Sequence, residues 1–476
     1  MLVADDGIRR PRGKFMVRML KGFAVTVGVL LLLVIGVYLT SRAMGPSKVE
    51  REALTLIDTP PVHQGSDGFA ALYTLTRDIP DDKQGSVLAE DVRRVAALPL
   101  PSAEGTGAPL WHSALEDWPT LGENRNDDPA WCSLHKPGCL ELVRSAPQAY
   151  AGLLERNATQ LDRVEALSAW DHFANPFPPR LDTPLPAYQP WTRLITRDAW
   201  RFANGEIDAG LAGACAGVAQ GRKLIAAGDS LIGSMIGVAL VQGNATLLAD
   251  MLAELPRDHA LPPSCGAAFD LPMPLDDGVC RTMLSEARYT TGVLRTQIVA
   301  DVEGGFTGKK VPAWTSRLLF DPERTVARGA PKFAWYCGGQ ARALLAQDQP
   351  LLDRSAPSTR WSLQCVSNPV GCMLTDIAEP AYSDYALRLQ DALARLRTTA
   401  ALLWLREQPG ALDKAAFARL PASMQSTARP LQLDASTGTL ATALYEKPGK
   451  GKDHESHAWA IPLPASWLQS AEAASP

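Results

Sequence analysis

The stretch from Trp191 to Pro256 reads WTRLITRDAW RFANGEIDAG LAGACAGVAQ GRKLIAAGDS LIGSMIGVAL VQGNATLLAD MLAELP. Its punctuation predicts successive helices. Trp191–Ala203 forms one helix and stops at Asn204-Gly205. Glu206–Ala227 forms a second, closed by Gly228. Asp229-Ser230 caps a third, Leu231–Gln242, which stops at Gly243. Asn244 caps a fourth, Ala245–Leu255, ended by Pro256. Glycine permits the left-handed backbone that ends a helix, and a short polar side chain accepts the free N–H groups that begin the next. Gly205 and Gly243 are 38 residues apart, a period suited to stacked hairpins.

Over residues 191–256 this layout resembles tetratricopeptide-type helical hairpins, without that family's signature Trp, Gly, Tyr and Ala positions. The resemblance implies a short α-solenoid with a concave face for proteins or peptides. An ordinary antiparallel helix bundle satisfies the same pattern.

Outward from this segment the helical pattern continues. Cys139–Leu167 has apolar residues at helical spacing, and Pro147 divides it, with the longer helix beginning there. Residues 257–280 read as a loop and Arg281–Val302 as a helix broken by Gly304-Gly305 and Gly308. Pro331–Asp348 holds a short helix. Tyr382–Glu407 is amphipathic: Leu389, Leu393, Leu396, Ala400 and Leu403 form the buried stripe, while Arg388, Asp391 and Arg395 face water. Pro409-Gly410 ends it. The tail changes character. Leu431–Asp434 and Thr439–Tyr445 flank a hairpin turn at Ala435–Gly438, and Ala458–Pro464 adds a strand whose prolines suit a sheet edge.

Near the other end, twenty residues from Gly22 to Ser41 carry no charge. At about 1.5 Å per residue they span roughly 30 Å, a bilayer's hydrocarbon thickness. Six cations precede them (Arg9, Arg10, Arg12, Lys14, Arg18, Lys21), and only Arg42, Lys48 and Arg51 follow closely. That asymmetry places the N-terminus in the cytoplasm. Ser41-Arg42-Ala43 has the small-x-small form of a cleavage site, but the apolar run exceeds the usual signal length of about 7–15 residues. The expected class is therefore mainly α: one transmembrane helix, a helical-hairpin domain (bundle or short α-solenoid) and a small C-terminal antiparallel β element. The expected division is a cytoplasmic tail (1–21), an anchor (22–41), a loop-rich mixed region (42–135), a disulfide-bonded helical domain (136–410) and a β-containing tail (411–476).

Composition narrows the partners. The chain has 47 basic and 51 acidic residues; six and two of these precede the anchor, so the remainder carries 41 and 49, a net charge of −8. Nucleic-acid binding favours the opposite sign. Arginine and alanine are abundant, as in GC-rich bacterial genomes, which makes the expected location a bacterial inner membrane with the domain in the periplasm.

All eight cysteines lie beyond the anchor, and an even exported number favours disulfides. Cys132 with Cys139 and Cys365 with Cys372 share a spacing and enclose turn residues. Cys265 with Cys280 enclose a proline-rich loop, leaving Cys215 and Cys337 to pair across the fold. About 105 pairings are formally open. No Cys-x-x-Cys is present.

Motifs that carry chemistry are sparse. His454-Glu-Ser-His457, next to Asp453, departs from the two-histidine i, i+4 metalloprotease pattern and reads as a solvated loop. Ser230 in Gly228-Asp-Ser-Leu-Ile-Gly233 has its second glycine one residue late for a nucleophile elbow and reads as a helix cap. Asp127-Asp128 and Asp276-Asp277 read as turns. His63, His112, His135, His172 and His259 stand singly. Trp111, Trp118, Trp131, Trp170, Trp191, Trp200, Trp314, Trp335 and Trp361 suit core packing more than a groove. No catalytic, cofactor or metal residues are assigned. The expected role is an envelope scaffold or interaction module; an envelope enzyme with a dispersed site, such as a hydrolase, and a ligand-sensing domain are the alternatives.

Overall fold

The first helix, α1 (Arg12–Ala43), is long and apolar enough over Met16–Ala43 to cross a membrane, a test that signal sequences also pass. Its C-terminal end is built into the rest of the chain. Ser41 is fully buried. Its hydroxyl donates to Ser367 Oγ at 2.8 Å and accepts from the Ser367 N–H at 3.0 Å. Arg324 donates to the carbonyls of Ser41 and Arg42, Arg42 to that of Arg317, and Tyr38 to that of Leu318. The structure is a computed structural model and describes residues 12–99, 111–271, 275–298, 313–352, 362–409, 414–434, 437–446 and 458–464.

The chain is mainly helical. Helix α2 (Lys48–Asp58) opens on a capping box of Ser47 and Glu50. Short helices α3 (Phe69–Tyr73) and α4 (Asp81–Ala97) follow. Pro147, at the first turn, separates α5 (Cys139–Ser145) from α6 (Pro147–Arg156). The expected longer helix from Pro147 is in fact two. The chain breaks at Asn157, whose side-chain amide donates to the Leu153 and Glu123 carbonyls, before α7 (Ala158–Ala166).

The central segment contains α8 (Gln189–Ala203), α9 (Ile207–Ala227) and α10 (Leu231–Ala253). These are three helices where four were expected. Gly205 and Gly228 do turn the chain, at φ +91° and +61°, and Ser230 does cap α10, accepting from Gly233 N–H at 3.0 Å. Gly243 is not a turn. It lies inside α10 because Leu134 packs on its face; a Cβ there would sit 2.5 Å from Leu134 Cδ2. Asn244 caps nothing and bonds back to Leu240 O. Helix α9 approaches both of its neighbours closely. Gly210 and Gly213 lie against Phe202 and Asp198 of α8, while Gly217 and Gly221 lie against Asn244 and Gly237 of α10.

Helix α11 (Pro263–Ala268) precedes α12 (Leu275–Val293). The latter starts earlier than expected, so Asp276-Asp277 belong to its first turn rather than to a loop. It continues as a π-helical turn, Leu294–Ile298. The expected continuation to Val302 and the breakers Gly304, Gly305 and Gly308 lie outside the described residues. Helix α13 (Ala313–Leu319) is followed by α14 (Pro322–Ala334), which Asp321 caps and which contains Pro331. The short helix expected within Pro331–Asp348 is α15 (Gly339–Ala346), while Pro331 itself lies inside α14. Helix α16 (Pro369–Glu407) begins well before Tyr382, and α17 (Lys414–Ala418) is short. Strands β1 (Gln432–Asp434), β2 (Thr439–Ala443) and β3 (Ala458–Pro462) form an antiparallel sheet in that order, with β3 at an edge.

The polar face expected on α16 is overturned at two positions. Asp391 and Arg395 are 0% and 1% exposed because the tail covers them. Arg429 donates to Asp391 at 2.6 Å and to Asp348; Asp391 also accepts the Tyr445 and Glu446 N–H groups. Arg395 donates to Glu446 at 2.8 Å. These contacts join tail and helix with charge-assisted bonds.

The cysteines form four pairs. Cys132–Cys139 and Cys365–Cys372 are paired as expected. The other two expected pairs are exchanged: Cys215 bonds Cys265, and Cys280 bonds Cys337. Cys265 lies on α11, which packs on α9 beside Cys215, whereas Cys280 lies on α12 facing the turn after α14. The largest apolar cluster runs from Phe69 to Leu463, and a smaller one joins Ala53 and Ile57 to Leu284, Ala287 and Ala330.

Candidate functional site

Helix α12 is the wall between two cavities. The first, about 640 Å³, is lined chiefly by α12, α14 and the early turns of α16. Its lining is mostly apolar, from Val293, Leu294 and Ile298 through Val326 and Phe333 to Leu374. That volume lies within the range of small-molecule sites, roughly 300–1,000 Å³. The π-helical turn at Leu294–Ile298 contributes to it; such turns occur often at functional sites.

Lys332, Asp376 and Tyr382 bring polar groups to this lining, and Arg328 and Glu286 contact the last two from outside it. Asp376 Oδ1 lies 3.6 Å from Arg328 Nη2 and 3.9 Å from Lys332 Nζ. Arg328 and Lys332 are one helical turn apart on α14, so both reach the same carboxylate. On another wall, the Tyr382 hydroxyl is 3.3 Å from Glu286 Oε1, and its ring packs edge-on against Phe333. Burial raises the Glu286 carboxyl above the usual range, against the lowering effect of the Tyr382 bond. Burial and the Glu286 charge raise the Tyr382 phenol.

The second cavity, about 500 Å³, shares Leu181 and Tyr289 with the first. It contains His63, whose Nδ1 is 3.2 Å from Asp229 Oδ1. The His63 ring stacks on His172, with centroids 4.6 Å apart. The expectation of isolated histidines is thus overturned for this pair, since the fold brings together positions that are far apart in sequence. His112 also gains carboxylate neighbours at Glu116 and Asp117, and His259 at Asp208. Arg288 is committed to the end of α2, donating to the Ile57 and Thr59 carbonyls.

Ser230 borders the second cavity, but its hydroxyl serves as the α10 cap. Asp128 sits in a turn and pairs with Arg156. Trp191 is core, edge-on to Phe173, whereas Trp314 is 66% exposed. His454, His457 and Trp361 lie outside the described residues. Among the described residues, no three His, Cys, Asp or Glu side chains converge to hold a metal. Sequence reading missed Glu286, Arg328, Lys332, Asp376 and Tyr382. The one local signal was the i, i+4 pair Arg328 and Lys332; the other contacts are long-range. No family model, curated protein or solved structure matches this chain.

Proposed function

We propose that this chain is a membrane-anchored binding protein whose apolar cavity holds a hydrophobic ligand with a polar end. The observation that carries this reading is the 640 Å³ cavity, lined by Lys332 and Asp376 on one side and by Tyr382 on another. An alkyl chain gains about 0.8 kcal/mol per buried methylene. Lys332 suits the polar end, since a carboxylate or phosphate there meets its ammonium, and Tyr382 adds a hydroxyl. In this reading residues 1–21 remain in the cytoplasm of a bacterial cell, residues 22–41 span the inner membrane, and the four disulfide-bonded pairs belong to a periplasmic domain.

The test is photolabelling of the full chain in detergent with a diazirine fatty acid. Adducts are expected on α14 and on residues 374–383, and Gly329→Phe, which fills the cavity, should abolish them. Labelling confined to α1, or unchanged in Gly329→Phe, would refute the reading.

A second reading, an interaction module for an envelope protein, is favoured by Val62, Leu181 and Leu185. These are 86%, 59% and 57% exposed at the mouth of the second cavity. Crosslinking of the membrane-embedded chain tests it: a reproducible partner attached at these residues supports it, and none argues against it.

A further inference from the structure

The outer end of α1 is surrounded by apolar side chains that the rest of the chain leaves uncovered. Trp314, Leu318 and Leu319 of α13 are 66%, 41% and 50% exposed. Val366, Met373 and Ile377 are 44%, 62% and 71% exposed. Polar contacts bring these segments to one place. Tyr38 and Arg42 of α1 bond to the Leu318 and Arg317 carbonyls of α13, and Ser41 bonds to Ser367, next to Val366. The Cys365–Cys372 disulfide ties that turn to the start of α16, where Met373 and Ile377 project one turn apart. An exposed apolar patch marks an interaction surface, and an aromatic ring at its edge suits the headgroup zone.

We propose that these six residues form a collar that sits in the bilayer leaflet at the outer end of α1. This rests on the reading of α1 as an anchor and of the cavity as a ligand site. What covers the patch follows from its position: α1 carries its apolar surface directly into it, so lipid that surrounds the helix meets the collar next. The collar also lies close to the cavity. Leu374, Thr375 and Asp376 line the cavity, while Met373 and Ile377 flank them on the outer face of the same helix. One helix thus separates the lipid from the site, and the ligand class becomes a bilayer lipid taken laterally through the leaflet.

Because the described cysteines are all paired, a cysteine introduced at Met373 or Ile377 supplies a single thiol for a nitroxide label. In the full chain in nanodiscs, both sites should collide readily with oxygen and poorly with a water-soluble nickel chelate. Val62→Cys, 86% exposed at the mouth of the second cavity, should show the reverse. Nickel access at Met373 and Ile377 equal to that at Val62 would overturn the proposal. Shielding from both reagents would overturn it too, since protein would then cover the patch. A second arm tests uptake. A diazirine phospholipid in the nanodisc should label α14 and residues 374–383, and the double variant Met373→Glu, Ile377→Glu should lose this labelling. The same variant should keep labelling by free fatty acid in detergent. Loss of labelling from both sources in the unsubstituted chain would defeat the cavity reading alone, leaving the nitroxide result to judge the collar.

Discussion

Asp198 is a carboxyl group in the wrong solvent. It is 4% exposed, and burial pushes its pKa up to about 7 despite Arg197 and Arg201 nearby. Its oxygens pass so close to Gly213 that a Cβ there would lie 2.1 Å away. The folded chain therefore holds this proton more tightly than the unfolded chain, where the pKa is near 3.9. The sign follows: the contribution to stability is fully present below about pH 4 and is lost as pH rises to about 7. A shift of that size is worth on the order of 4 kcal/mol. Asp198→Asn cannot ionise, so it should be more stable than the parent at pH 8 and nearly equal to it at pH 4. Urea unfolding at the two pH values measures the difference, and equal losses in both proteins would show that Asp198 stays protonated or solvated. Asp250, also raised to about 7 by burial and by Glu141 and Glu254, should leave part of the pH dependence in the variant.

At the scale of elements, the same residue type does opposite things. Gly85 is exposed on α4 with nothing within 4 Å of its would-be Cβ, whereas that of Gly221 on α9 would lie 2.5 Å from Gly237 O. Alanine is a better helix former than glycine by about 1 kcal/mol, so Gly85→Ala should raise stability by up to that amount. Gly221→Ala gains the same propensity but must push two backbones apart, and should lose about 1–3 kcal/mol net. Thermal or urea unfolding decides, and a stabilising Gly221→Ala would mean that α9 and α10 separate easily. This contrast also explains what was legible in the sequence. Gly228, Ser230 and Pro147 act on their own chain neighbours, and their roles could be read locally. Gly243 has the same appearance as Gly228, yet its role depends on Leu134, over a hundred residues away. Asp391 and Arg395 looked solvated because their partners Arg429 and Glu446 arrive from the tail. Glu286 and Tyr382 meet only after α12 and α16 have packed, so the cavity left no pattern within either helix.

For the whole molecule, the disulfides set the scale of constraint. Cys280–Cys337 closes a span of 57 residues and Cys132–Cys139 one of 7. Chain entropy alone assigns about 4 kcal/mol to the first and about 2.5 kcal/mol to the second. Paired serine variants should therefore rank in that order on denaturation. Peptide mapping without reduction should recover Cys215 with Cys265 and Cys280 with Cys337; recovery of Cys265 with Cys280 would contradict the fold. Neighbour-in-sequence pairing misled at these positions because α11 and α12 turn toward different partners. The hold on Ser41 has a consequence for the membrane-anchored reading. In the folded chain this residue is buried against Ser367, so a processing peptidase cannot draw Ser41-Arg42-Ala43 into an extended strand. Yet Ser367 is made 326 residues later. At about 5–20 residues per second, the site stands bare for roughly 16–65 s during synthesis. Folding protects the junction only against late attack; in the membrane-anchored reading proposed above, retention in that first interval rests on the helix's length in the lipid.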